Sequence, residues 1–140
     1  MKFRVLFLCA TNGAQSPMAE ALLATMDSEH FEAFSAGIER GEMHPLAVEV
    51  MKEIDIDLQD RPTRSVDDVQ HLPFDVVITL CEGARFLGSK FARAEVLHWR
   101  FDDPLLVSDR LKQKRMFHVL RDQITQRIRF FTLVYARSAA

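Results

Sequence analysis

The chain has few cysteines and no long apolar run. Two cysteines in 140 residues are too few for a zinc site made of cysteine alone, and we expect them to be reduced thiols with a redox or catalytic use. The apolar start, Phe3 to Leu8, is too short for a signal peptide or a membrane-spanning helix. We therefore expect a cytoplasmic protein with no membrane association and no bound metal.

The chain also lacks an excess of positive charge. Its formal net charge is −2, and no basic stripe is visible, so nucleic acid is a poor candidate partner. The basic residues of the last predicted helix are interpreted as a solvated face. A composition of 48% hydrophobic and 27% charged residues is that of a globular protein, and we expect one domain over residues 1–140.

Strand-like and helix-like segments alternate along the chain, which predicts an α/β fold with a parallel sheet. The predicted strands are Phe3–Leu8, Phe31–Ser35, Val76–Leu80 and Val96–Trp99. The predicted helices are Pro17–Met26, Pro45–Ile54, Ser65–His71 and Asp109–Arg137. Because ligands gather at the carboxyl edge of such sheets, the residues that follow these strands are the candidates for a site.

A thiol follows the first predicted strand. Cys9 opens a short polar loop, and a helix is predicted to begin near Pro17. A thiolate beside inward-pointing amides and a helix N-terminus is stabilised, and an oxyanion can be held there. Taken alone, a cysteine at the end of an apolar strand is more often a small buried hydrophobe. Asn12, Gly13 and Ser16 favour the catalytic interpretation.

Cys9, Asn12 and Ser16 give this loop a resemblance to the low-molecular-weight tyrosine phosphatase superfamily, and within it to the thiol-dependent arsenate reductases. The resemblance implies an oxyanion-binding loop made of the residues that follow Cys9, namely Ala10, Thr11, Asn12, Gly13, Ala14, Gln15 and Ser16. In that family the position of Gln15 is an arginine. A glutamine offers one neutral donor group where arginine gives two parallel charged ones.

Three later segments extend the resemblance over nearly the whole chain. They are Ser35-Ala36-Gly37, the strand that ends in Cys81, and the run from His98 to Pro104 that contains Trp99 and Asp102-Asp103. The implied fold is a single three-layer α/β domain, with a four-stranded parallel sheet flanked by helices. The last two segments are similar to the arsenate reductases in particular.

The resemblance also implies a role for each reactive residue. The Cys9 thiolate would attack arsenate, Asp103 would protonate the departing oxygen, and Cys81 would form a disulfide with Cys9 and release arsenite. Each has a plainer interpretation from the residues alone. Cys81 is also a typical buried strand-end cysteine, and Asp-Asp-Pro is common in loops and at helix starts.

No bound cofactor is implied, but an external thiol reductant is. Relatives coupled to thioredoxin usually carry a third cysteine seven residues after the second, where this chain has Gly88. An outside thiol would then have to reach the Cys9–Cys81 disulfide directly. Glutathione with glutaredoxin is therefore as plausible a reductant as thioredoxin.

Gln15 leaves three functions open for the same loop. The first is an arsenate reductase with a modified loop, acting on a small oxyanion such as arsenate or phosphate. The second is a non-catalytic relative that binds an oxyanion or a protein, and the third is a protein tyrosine phosphatase. We hypothesise that Arg64 or Arg85 supplies the positive charge that Gln15 lacks.

Overall fold

The protein is a four-stranded parallel sheet with helices on both faces. The computed structural model describes the backbone of residues 2–139 and the side chains of residues 2–136. The strands are β1 (Phe3–Cys9), β2 (Phe31–Gly37), β3 (Val76–Thr79) and β4 (Glu95–His98), and their order in the sheet is β2-β1-β3-β4. The predicted three-layer α/β architecture is confirmed.

Five α-helices are present among the described residues. They are α1 (Gln15–Met26), α2 (Pro45–Lys52), α3 (Val66–Val69), α4 (Glu82–Arg85) and α5 (Arg110–Ala139). There are also two short 3-10 helices, Phe86–Lys90 between α4 and β4 and Pro104–Leu106 between β4 and α5. None of the described helices combines the length and the hydropathy that a bilayer span needs.

The central strand β1 divides the apolar core into two layers because successive side chains point to opposite faces. Val5 and Phe7 pack in the larger cluster, with residues of α1, α2 and α5. Leu6 and Leu8 pack in the smaller cluster, with residues of α3 and α4. All four are completely buried, and each such side chain contributes roughly 1.5–3 kcal/mol to the free energy of unfolding.

Helix α5 covers the larger layer with the face that its sequence predicts. Its buried residues are Phe117, Leu120, Ile124, Ile128 and Phe131. The basic face is less solvated than predicted. Lys114 lies 2.7 Å from Glu49, Arg121 lies 3.0 Å from Glu53, and Arg127 stacks over the Trp99 ring. Their charges tie α5 to α2 and to the end of β4.

Several predicted boundaries were wrong, and one matters for the site. Helix α1 begins at Gln15 rather than Pro17, which places Gln15 at the helix N-terminus. Pro17 is accommodated because the first amides of a helix have no intrahelical acceptor. The helix predicted over Ser65–His71 is one turn, and α4 was not predicted because four residues carry no helical periodicity.

The sheet brings the ends of three strands to one edge. Parallel pairing sets Leu8 beside Thr79 and Thr79 beside His98. Two further hydrogen bonds, from Leu80 N to Leu8 O at 2.8 Å and from Trp99 N to Thr79 O at 2.9 Å, continue this register past the strands. Cys9, Cys81 and the segment after His98 therefore leave the sheet side by side.

His44 makes the stability of the start of α2 dependent on pH. Its Nδ1 accepts the Leu46 amide at 3.1 Å, which requires a neutral ring, and burial together with the Arg110 charge lowers the pKa of His44 below 6.5. Below about pH 6.5 the unfolded chain gains this proton first, so the free energy of unfolding falls with the pH. We expect His44→Asn, which keeps a capping acceptor that does not titrate, to flatten this decrease in urea unfolding. Identical pH profiles for the two proteins would contradict the assignment.

Candidate active site

The loop that follows β1, here called the Cys9 loop (residues 9–16), turns its carbonyl groups outward. Cys9 O, Ala10 O, Thr11 O and Gly13 O accept amides of residues 38, 39, 41 and 44 at distances of 2.7–3.2 Å. No amide from residue 10 to residue 14 donates to another backbone group in the described part of the chain. The loop therefore presents free N–H groups on its inner side, as an anion site does.

Asn12 fixes the shape of this loop. Its φ is 61°, a left-handed conformation that asparagine tolerates better than most residues. Its side-chain Nδ2 donates to Ser16 Oγ and to Ser35 Oγ, both at 2.9 Å, and its Oδ1 accepts the Arg64 amide at 2.8 Å. One buried side chain thus joins the loop to α1, to β2 and to the segment before α3.

Ser16 connects Asn12 to the thiol of Cys9. Ser16 Oγ lies 2.8 Å from Cys9 Sγ, and both groups are buried. Asn12 donates to the same Ser16 oxygen, which fixes the position of the hydroxyl group next to the sulfur. A hydroxyl in this position is able to donate to the sulfur.

An acidic side chain behind the loop completes this network. Glu20 accepts a hydrogen bond from Ser35 Oγ. Two guanidinium groups neutralise Glu20, with Arg61 at 3.5 Å and Arg64 at 3.8 Å. Glu20 belongs to none of the predicted site residues, although its position four residues after Ser16 on α1 indicates that the two share a helix face.

A cavity of about 320 Å³ opens in front of Cys9, and it is called the Cys9 cavity below. Cys9, Cys81 and Asp103 all line it, so the structure brings the three predicted reactive residues together. The Cys9 loop contributes Ala10, Thr11, Ala14 and Gln15 to its wall, and the other lining residues are Leu80, Glu82, His98, Arg100, Phe101, Asp102, Leu105 and Leu106. Asn12, Gly13 and Ser16 support the loop and do not line the cavity.

Cys81 is half-buried, at the start of α4. Burial raises the pKa of its thiol above 9.0, and the negative charges of Cys9 and Asp103 raise it further, while the amides of Gly83 and Ala84 act in the opposite direction. Cys81 is a free thiol in this structure, as is Cys9. The second thiol is therefore held mostly protonated near neutral pH.

His98 and Asp103 are held by local contacts. His98 Nδ1 lies 2.7 Å from Thr79 Oγ1, and its Nε2 lies 3.3 Å from Glu82 Oε1 without an aligned hydrogen bond. Asp103 Oδ1 accepts the Leu105 amide at 2.9 Å at the start of the 3-10 turn. That bond uses one carboxylate oxygen and leaves the other available to the cavity.

Gln15 is 8% exposed and has an unpaired oxygen. Its Oε1 is shielded from solvent and finds no donor among the described residues. An unsatisfied buried carbonyl is costly, so its position at a cavity wall calls for a specific explanation such as a catalytic role. The amide lies at the cavity wall where the resemblance implies an arginine.

Neither arginine of the compensation hypothesis lies at the Cys9 cavity. Arg64 pairs with Glu20 and lines a separate cavity behind the loop, with Asn12 and Ser35. Arg85 pairs with Glu82 at 3.7 Å. The arginine that does line the Cys9 cavity is Arg100, which also borders a second cavity next to α5 and is not among the predicted site residues. The feature of the sequence that could have identified Arg100 is its position directly after the predicted strand Val96–Trp99.

Residues 4–137 match the low molecular weight phosphotyrosine protein phosphatase family, and the chain belongs to that family. Within it, the chain is similar to arsenate reductases. One from Halalkalibacterium halodurans is 34% identical over 129 residues, which cover 91% of this chain and 93% of that protein. A solved structure of an arsenate reductase in the phosphate binding state has a TM-score of 0.82 at 25% identity, and one in the oxidized state has 0.80 at 25%. Both cover 100% of each chain.

Gly37 is required where the end of β2 meets the Cys9 loop. A Cβ there would lie 2.5 Å from Glu39 O and 2.6 Å from Asn12 N, both of which are backbone atoms that cannot move alone. We expect Gly37→Ala to lower the free energy of unfolding by about 1–3 kcal/mol and to weaken the binding of inorganic phosphate. Urea unfolding and calorimetric titration measure the two effects.

Gly83→Ala is the stability control for this substitution. A Cβ at Gly83 would meet Ile38 Cδ1 at 3.1 Å, the end of a flexible side chain that can shift. We expect a change in unfolding free energy within about 0.5 kcal/mol. Equal losses in the two variants would show that the fit of β2 against the loop is not what Gly37 provides.

Proposed function

We propose that this protein reduces arsenate to arsenite with the two thiols Cys9 and Cys81. The observation that carries the proposal is that both thiols and the Asp103 carboxylate line one cavity whose wall is a loop of free amides. A phosphatase of this family needs only the nucleophilic thiol, here Cys9, and a general acid, here Asp103. A second thiol facing the same cavity is what a two-electron reduction requires, and the similarity to arsenate reductases supports it.

In the first step the Cys9 thiolate attacks the arsenic of arsenate. A sulfur–arsenic bond forms, an arsenic–oxygen bond breaks, and the oxygen leaves as water after Asp103 and solvent supply its protons. The free amides of the Cys9 loop and the N-terminus of α1 stabilise the oxygens that remain. Ser16 keeps the attacking sulfur in place.

In the second step Cys81 attacks the sulfur of Cys9. The disulfide forms, the sulfur–arsenic bond breaks, and its electron pair stays on arsenic, which leaves as arsenite. The two electrons come from the two thiols. Cys81 must lose its proton before this attack, and its raised pKa makes that loss pH-dependent.

An external thiol then reduces the disulfide, by attack on the more exposed sulfur. Cys9 is 6% exposed, whereas Cys81 is half-buried, so we place the attack at Cys81. Cys9 then leaves as a thiolate next to the Ser16 hydroxyl. Since the chain has no third cysteine to relay the disulfide, both glutathione with glutaredoxin and thioredoxin remain candidate reductants. The need for reduced thiols favours a cytoplasmic setting.

The decisive test is peptide mapping of the reduced protein after incubation with arsenate. We expect a stoichiometric Cys9–Cys81 disulfide together with released arsenite. Cys81→Ser removes the second thiol and should abolish both products, because the electron pair can no longer be delivered to arsenic. Free thiols in the arsenate-treated wild-type protein would favour a non-catalytic oxyanion-binding relative instead.

The pH dependence of the second step is a separate prediction. Because the pKa of Cys81 is raised above 9.0, its thiolate fraction grows about tenfold per pH unit from neutral pH to the pKa. The rate of disulfide formation at saturating arsenate should therefore rise from about pH 7 to pH 9, as measured by rapid quenching with an alkylating reagent. A rate that does not change over this range would show that deprotonation of Cys81 does not limit the step.

A further inference from the structure

Apart from one arginine, the lining of the Cys9 cavity has too little positive charge to bind an anion well. The carboxylates of Glu82, Asp102 and Asp103 line it. The loop side of the cavity carries Gln15, which is neutral. The free amides and the N-terminus of α1 supply only partial charges, equivalent to roughly half an elementary charge for the helix. An arsenate or phosphate ion therefore needs a full positive charge from elsewhere in the cavity.

Arg100 lies where such a charge is needed. It is the only arginine or lysine among the residues that line the Cys9 cavity, and it stands two residues after β4, at the carboxyl edge of the sheet, between this cavity and a second one next to α5. The neighbouring Trp99 is buried, with its ring against Phe7 and Phe131 and its amide bonded to Thr79 O at 2.9 Å. The backbone at Arg100 is therefore anchored while its side chain is exposed.

The guanidinium of Arg100 is also uncommitted. No carboxylate of the described residues lies within 4.0 Å of it, although Asp102 and Asp103 are close in sequence, and it donates no hydrogen bond to those residues. Arg64 and Arg85 are both paired with glutamates. Arg100 is thus the guanidinium that can turn to a ligand without breaking an ion pair.

We infer that Arg100 is the substrate-binding guanidinium that supplies the charge Gln15 lacks, holding the oxyanion over Cys9 from the β4 side of the cavity. This inference rests on the proposed function, since it takes the ligand to be the arsenate or phosphate oxyanion. A guanidinium gives two parallel charged donors to such an anion wherever it enters from. Gln15 then contributes a neutral contact from the opposite wall.

The first test is the binding of inorganic phosphate to the reduced protein, by calorimetric titration. Arg100→Ala should weaken phosphate binding at least about tenfold and make the remaining affinity less dependent on salt, because a charged donor is lost. Arg100→Lys keeps the charge and loses the two-pronged geometry, so an intermediate affinity is expected. Arg115→Ala, which removes an exposed arginine of α5 outside the cavity lining, is the matched control and should bind like the wild type.

The second test moves the charge back to the loop. In the double variant Gln15→Arg, Arg100→Ala, the loop arginine should restore most of the phosphate affinity that Arg100→Ala loses. In steady-state assays with arsenate, Arg100→Ala should lower kcat/KM by a factor on the order of 100, and the double variant should recover it. A structural role for Arg100 would not be rescued in this way, and circular dichroism with urea unfolding verifies that each variant is folded.

The outcomes separate this inference from the proposed function. If wild-type protein reduces arsenate and Arg100→Ala behaves like Arg115→Ala, the role of Arg100 is overturned and the reductase function stands. If wild-type protein forms no disulfide with arsenate but loses phosphate affinity in Arg100→Ala, the oxyanion role of Arg100 stands and the reduction is overturned. A wild-type protein that binds no phosphate would overturn the role of Arg100.

Discussion

The three hydrogen bonds of the Asn12 side chain hold the site in its shape. They join the Cys9 loop to Ser16 on α1, to Ser35 on β2 and to the backbone at Arg64. The left-handed backbone at Asn12 costs free energy, and these buried bonds offset it. Together with the amides of residues 38, 39, 41 and 44, which hold the loop carbonyls, they fix the loop on all sides.

The division of labour between the two cysteines follows from their surroundings. Cys9 is buried, and its sulfur lies 2.8 Å from the Ser16 hydroxyl, which holds it in a fixed position. Cys81 is more exposed, and burial together with nearby negative charge raises the pKa of its thiol. A resolving thiol that stays protonated while the anion binds adds no further negative charge to the cavity.

The substitution at Gln15 changes how charge reaches the ligand rather than the shape of the loop. With glutamine at position 15, the loop has its carbonyls hydrogen-bonded to residues 38–44 and a hydrogen bond between Ser16 and Cys9. In our account, the positive charge comes from a side chain across the cavity, on an exposed arginine after β4. A charge placed there is screened more strongly by salt than one in the loop, because it is closer to solvent.

The sequence alone determined the fold class, the order of strands and helices along the chain, and the residues that make up the loop. Alternating strand-like and helix-like segments predict a parallel α/β sheet, because the hydrophobic periodicity of a strand or helix depends only on residues close in sequence. The spacing of Cys9, Asn12 and Ser16 is local in the same way. Short elements such as α4 escaped prediction because four residues carry no period. Only the tertiary structure decided which distant side chains share a cavity with Cys9. It brought in Cys81, Asp103 and Arg100 and paired Arg64 with Glu20, because strand register and side-chain packing act between residues far apart in the sequence.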